Sequence, residues 1–541
     1  MPLSPTPAFW VENRAAQIQG LDLLGLRQAA QRFGVEALSG VATVTPAVRY
    51  FSLRTWIIDS FRKLQTPNTS DELYRFAEAV EAAFVLGNLL ADTKTVGLIG
   101  SETARERLSK SGDSISVSKL VGSQIALGIY GGSSDGINLT HNDGGMPVII
   151  EERGTPLAHH VDQLLAGTAF HHLVFSENGL PDQLPRDVLL EFGEAFPVNS
   201  IPEAESVLLL NAIIPNAPKV LRHANEIARI GTYAILLHLT STLNKTPSDA
   251  EFFAFIQSAN PDCPEEFHYT QRLWSQFSIR DLLAVSHEAI LRSVSESLEA
   301  RRQDGLVEKS GVIGELLNTG ELSDTLTSFS IECTPETVAD VRYSDLVNWL
   351  DQRTIGATAR HGILRWDGDL IEEFVIKHIR NHPSMALALT PLIWILVNRR
   401  ICTDSPKGDL LATELSSDGF DRFGINEVIR PTLKAWSSDN ATLPDMVAQL
   451  IYKTVDQHLR VVWSRLANDP SKDGSVLIAD SAFWSFRKRF VGGRLASRIR
   501  QVTGWLNQLG LIGQDGLTEF GDTVLAEARA TLMTTLDGSE S

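Results

Sequence analysis

Six basic residues, Arg487, Lys488, Arg489, Arg494, Arg498 and Arg500, fall between Ser481 and Gly513 with no acidic residue among them, in a 541-residue chain of net charge −18. Clustered guanidinium and ammonium groups neutralise phosphates, which gives salt-dependent affinity with little base preference. Placed on one helix, Arg494, Arg498 and Gln501 recur at three- and four-residue steps and share a face, while Leu495, Val502 and Leu506 occupy another. Arg487, Lys488 and Arg489 then belong to the preceding helix or turn. All six are candidate contacts to double-stranded DNA. The same charges can equally pair with acidic surface on this chain or on a partner, so a protein contact is the competing expectation.

Other residues with chemical potential meet their spacing requirements poorly. His159-His160 and His171-His172 fall on one expected helical segment, where His160 and His171 share a face about 16 Å apart, too far for one ion. His378 and His382 are four apart but have no third ligand nearby, and a cation at a helix C-terminus fits them better. Asp71 with Asp92-Thr93-Lys94 resembles a nuclease pattern, yet that chemistry needs carboxylates on adjacent strand ends and this stretch reads as helix. Glu372-Glu373, Asp367 and Asp369 read as a solvated helix start. The Gly-rich segment 128–136 lacks the Lys-Ser/Thr ending of a phosphate loop. Serines beside glycines carry no catalytic weight on their own. The expectation is a protein without enzymatic activity, cofactor or metal.

The basic residues lead into Val502-Thr503-Gly504-Trp505-Leu506-Asn507-Gln508-Leu509-Gly510-Leu511-Ile512 and then Asp515-Gly516-Leu517-Thr518-Glu519-Phe520-Gly521. That order reads as a helix ending at glycine, a strand, a tight turn, a second strand and another helix, the layout of a winged helix. Leu120 to Tyr130 echoes Val502 to Ile512 with both glycines in step. Val148-Ile149-Ile150 and Glu152-Arg153-Gly154 follow it as Glu519-Phe520-Gly521 follows the second copy. Two winged-helix-like units are expected, near 100–165 and 475–530. In the first, Arg105, Arg107, Lys110 and Lys119 are interleaved with acids and read as structural. Trp463, Trp484 and Trp505 have apolar neighbours at helical spacing and read as core.

Helical periodicity dominates the remainder. Residues 71–91 place Leu73, Phe76, Ala77, Val80, Ala83, Phe84 and Gly87 on one face. Trp274 to Arg302 and Leu443 to Leu466 repeat the pattern. Turn signals stand at 66–70, at Gly131 to Gly136, at Asn142-Asp143-Gly144-Gly145, at 303–305, at 404–408 and at 468–471. The fold class is therefore mainly α: an elongated, multi-lobed helical protein with two winged-helix-like subdomains. The expected divisions are 1–95, 96–168, 169–304, 305–470 and 471–541. A content of 43% hydrophobic and 21% charged residues describes a globular protein. Cys263, Cys333 and Cys402 are isolated, which suits a reducing compartment. The run from Met385 to Val397 is too short to span a bilayer and is broken by Pro391, so it reads as a buried helix. The N-terminal residues lack an export signal, and a cytoplasmic protein without a membrane partner is expected.

Gly20-Leu21-Asp22-Leu23-Leu24-Gly25, Leu38-Ser39-Gly40, Thr43-Val44-Thr45-Pro46 and Arg49-Tyr50-Phe51, ending in Trp56, resemble a pattern of large bacterial proteins from restriction and anti-phage defence loci, often beside ATPase and nuclease genes. The resemblance covers about forty residues and carries over no functional residue. It implies a bacterial defence complex with an ATPase or nuclease partner protein from the same locus. Physically the stretch reads as a turn-rich cap: Gly20 and Gly25 bracket a turn, and Pro46 opens the Arg49–Phe61 helix with Thr45 as N-cap. Arg49 and Arg54 are expected to pair with acids in the core. Together these readings describe a non-catalytic, DNA-associated scaffold. A pure protein–protein adaptor is the alternative, and a metal-dependent nuclease a weaker one.

Overall fold

The computed structural model describes residues 22–64, 69–120, 125–215, 224–257, 263–353, 365–366, 369–370, 379, 382–403, 424–469, 471, 473–490 and 492–537. Within them the chain is mainly helical, with small antiparallel sheets of two or three strands. It groups into two compact units. The first comprises Met1–Phe33, Gln257–Asn260 and Ser275–Leu495, and the second Gly34–Ile256, Pro261–Trp274 and Ala496–Ser541. The units interleave along the chain, where the sequence reading divides it into five consecutive stretches.

The long periodic segments form the helices their spacing demands. Ser70–Ala91 starts where Thr69 accepts the Glu72 N–H, and Leu443–Asn468 where Thr442 accepts the Asp445 N–H. Each is a side-chain N-cap satisfying an orphan amide. His268–Ala300 is the longest helix among the described residues. Met385–Thr403 is a buried helix with Pro391 inside it. No described helix is long and apolar enough to cross a membrane.

In the first unit the core gathers Leu23, Leu24, Ile290, Val294, Leu389, Trp394, Trp436, Leu450 and Ile451 with their neighbours. Two neutral histidines lock it. Trp394 Nε1–H donates to His287 Nε2 at 2.9 Å, so the other nitrogen carries the proton toward Thr454 Oγ1 at 2.8 Å. The Val476 N–H donates to His458 Nε2 at 3.1 Å, leaving Nδ1–H for the Leu23 carbonyl at 3.0 Å. Burial pushes His287 down to about 3 and His458 down to about 4. A three-stranded sheet joins Val307–Glu308, Phe483–Phe486 and Leu477–Asp480, with Phe483–Phe486 in the centre.

In the second unit Ser70–Ala91 crosses Arg186–Ala195 at two glycines. A Cβ on Gly87 would lie 2.3 Å from the Leu189 carbonyl oxygen, and one on Gly193 2.1 Å from Gly87 backbone. Arg49 is fully buried and pairs with the equally buried Glu205 at 2.8 Å, as the sequence suggests. Arg54 differs: its guanidinium meets the Leu127 carbonyl at 3.0 Å and Thr140 Oγ1 at 2.7 Å. Thr45 caps nothing on the Arg49–Lys63 helix, whose N-cap is Val48. Its hydroxyl closes a turn onto Ala42 instead, at 2.8 Å. Gly131–Gly136, expected as a turn, is a short helix, and its last glycine lies against Gly40, where a Cβ on Gly136 would come within 2.5 Å of the Gly40 nitrogen. Asn142 to Gly145 does turn, joining strands Thr140–Asp143 and Met146–Ile149.

Candidate functional site

The six cations do not share one helical face. Arg487, Lys488 and Arg489 follow directly on strand Phe483–Phe486, and among the described residues no regular helix forms between them and Ile499. Two adjacent glycines, Gly492 and Gly493, lie between the basic clusters and offer a helix little support. What forms instead is a strap, Arg487 to Leu495, in the first unit. It runs antiparallel along one face of the long helix, which presents Glu299, Ser295, Glu288 and Asp281 at steps of four, seven and seven residues.

Each of these side chains takes one piece of the strap. Arg489 Nε meets Glu299 at 2.7 Å. Ser295 Oγ donates to the Lys488 carbonyl at 3.3 Å. Glu288 accepts the Gly493 N–H at 3.3 Å, and Asp281 the Leu495 N–H at 3.0 Å. Arg494 Nε pairs with Asp281 at 3.3 Å. Arg27 grips both oxygens of Glu288 at 2.5 Å and also donates to the Gly493 carbonyl. Gly492 permits this close seat, since a Cβ there would come within 2.6 Å of the Glu288 carboxylate. Arg487 pairs with Asp473, whose carbonyl accepts Lys488 Nζ at 2.9 Å.

The two ends of the strap differ in environment. Asp281 is 2% exposed and Arg494 26%. Burial pushes the carboxyls of Asp281 and Glu288 up, against the opposing pull of the amide and guanidinium partners. Those partners are what keep the buried oxygens satisfied. At the other end Arg487 is 45% exposed and Arg489 79%, and Lys488 is exposed as well. The Glu299 hydrogen bond raises the Arg489 guanidinium further above neutrality.

Arg498 and Arg500 belong to the second unit. Arg498 stands before helix Ile499–Gln508 with φ +65, a left-handed conformation uncommon for a residue with a side chain. Its guanidinium donates to the Val41 carbonyl at 3.0 Å, and burial pushes its pKa down. From there the helix reads a stretch of its own chain. Gln501 donates to the Thr43 carbonyl at 3.2 Å, Trp505 Nε1 to Thr45 at 2.8 Å and Gln508 Nε2 to Pro46 at 2.9 Å. Gln508 Oε1 accepts the Val48 N–H at 2.8 Å. The face carrying Gln501 is therefore occupied by Val41 to Val48, part of the stretch that carries the resemblance. Arg500 is exposed. Beyond the helix the expected order appears: Gly510 with φ +77, strands Ile512–Gly513 and Gly516–Leu517 paired antiparallel, then helix Glu519–Asp537.

The remaining candidates stay apart. His159 and His160 lie on helix Gly154–Leu165 and His171 and His172 on Ala169–Val174, two helices where one was expected. His171 Nε2 instead approaches Asp162 at 3.1 Å. Asp71 and Asp92 stand at opposite ends of Ser70–Ala91. His378, Asp367, Glu372, Glu373, Gly20 and Leu21 lie outside the described residues, and Cys402 falls on helix Met385–Thr403. Among those described, no group of three His, Cys, Asp or Glu is placed to hold a metal ion. Trp484 and Trp505 are core, but Trp463 is 70% exposed. A Gly-X-Ser-X-Gly spacing, expected to be absent, does occur at Gly132-Ser133-Ser134-Asp135-Gly136, the spacing of a hydrolase nucleophile turn. Ser134 is fully buried within the short helix Gly131–Gly136, whereas such a nucleophile stands exposed between a strand and a helix. No protein-family model, curated protein or solved structure matches the chain.

Proposed function

We propose that this chain is a non-catalytic scaffold that docks protein partners in a bacterial defence complex. The reading rests on how the basic residues are used. Arg494 and Arg498 serve contacts within the chain, and the helix face expected to meet DNA holds Val41 to Val48. A body of net charge −18 repels polyanions and attracts basic surfaces. The defence setting follows from the N-terminal resemblance, and so does an ATPase or nuclease partner.

The test is co-purification of the tagged full chain from its native host. The scaffold reading expects a protein encoded beside it, at fixed stoichiometry, released when salt rises from about 0.1 to 0.5 M and screening shortens the reach of surface charge. Elution of the chain alone at every salt concentration overturns it.

A further inference from the structure

We infer that the outer end of the strap, Arg487-Lys488-Arg489, is a local contact site for a nucleic-acid phosphate backbone, independent of the protein docking proposed above. Three consecutive residues span at most about 10 Å of chain. Their positive charge is thus about as dense as the phosphate charge along one DNA strand, one per 3.4 Å. All three are exposed. Their present partners are replaceable: Glu299 holds Arg489 at the surface, and Asp473 holds Arg487 through its carboxylate and Lys488 through its carbonyl. Exposed pairs of this kind contribute little and are screened by salt, so a phosphate can take the place of either carboxylate without unseating the strap. The inner end is anchored separately, by Asp281 and Glu288 on Arg494, Gly493, Leu495 and Arg27. A site of three cations, rather than six, follows.

The experiment is a fluorescence-anisotropy titration of the full chain with a 20-base-pair duplex DNA across salt. Three phosphate contacts lower affinity about 40-fold between 50 and 200 mM salt, whereas six would lower it about 1,800-fold. Arg487→Ala/Lys488→Ala/Arg489→Ala should abolish binding while keeping the parent's urea midpoint. Arg494→Ala should leave the salt dependence unchanged. Glu299→Gln, which removes the competing carboxylate and keeps every cation, should tighten binding by up to about 5-fold. A parent chain that does not bind, a fall near 1,800-fold, full binding by the triple variant, or weaker binding by Glu299→Gln would each overturn the assignment. None of these results bears on co-purification with a protein partner.

Discussion

Arg494→Ala should destabilise the first unit by about 2 kcal/mol. Breaking a buried ion pair from one side costs about 3 to 5 kcal/mol, because the remaining charge stays in the interior uncompensated. Here Asp281 is 2% exposed, which favours the full cost, but Arg494 is 26% exposed and their contact is 3.3 Å, so water can take up part of the loss. The Leu495 N–H also continues to serve Asp281. The assay is urea unfolding followed by tryptophan fluorescence, for which Trp484, at the foot of the strap, is a local reporter. With a slope of about 3 kcal/mol per molar, the midpoint falls by about 0.7 M. Pairing the change with Asp281→Asn should recover about half of the loss, since the buried charge is then gone. Arg500→Glu is the control, because that side chain is exposed, and its midpoint should stay within about 0.1 M of the parent. If Arg494→Ala unfolds at the parental midpoint and yet abolishes duplex binding, the strap is no structural anchor there, and a DNA role for Arg494 is restored.

Further outcomes follow from other parts of the fold. Burial lowers His458 to about 4, while the unfolded residue titrates near 6.5. Its neutral form is favoured in the fold, so its contribution is complete above about pH 6.5 and is lost as pH falls toward 4, about 2 kcal/mol by pH 5. His458→Gln should therefore lose about 2 kcal/mol less than the parent between pH 7.5 and pH 5 in urea unfolding; parallel profiles would contradict the burial argument. Gly193→Ala should destabilise by about 3 kcal/mol or prevent folding, because a Cβ would meet Gly87 backbone at 2.1 Å. Gly112→Ala, with open space around it, should stay near the parent in the same melt. Arg49→Met should cost about 3 to 5 kcal/mol by leaving Glu205 buried and unpaired. Arg49→Lys should fail to rescue, since lysine lacks the planar fork that meets both carboxylate oxygens.

The chain's own pattern determined its helices. At Ser70–Ala91, His268–Ala300 and Leu443–Asn468 the apolar spacing is local and sustained over several turns, and helix formation needs no distant residue to be read. The order of elements after Ile499 was equally legible, because Gly510 and Gly516 are local punctuation. The destination of the charges was not. Arg494 meets Asp281 and Arg498 meets Val41, more than two hundred and four hundred residues away in sequence. A run of cations without acids looks free only while its partners are hidden elsewhere in the chain. Whether a guanidinium faces water or a carboxylate is set by which helix packs beneath it, and long-range packing, unlike periodicity, leaves no signature in a local window.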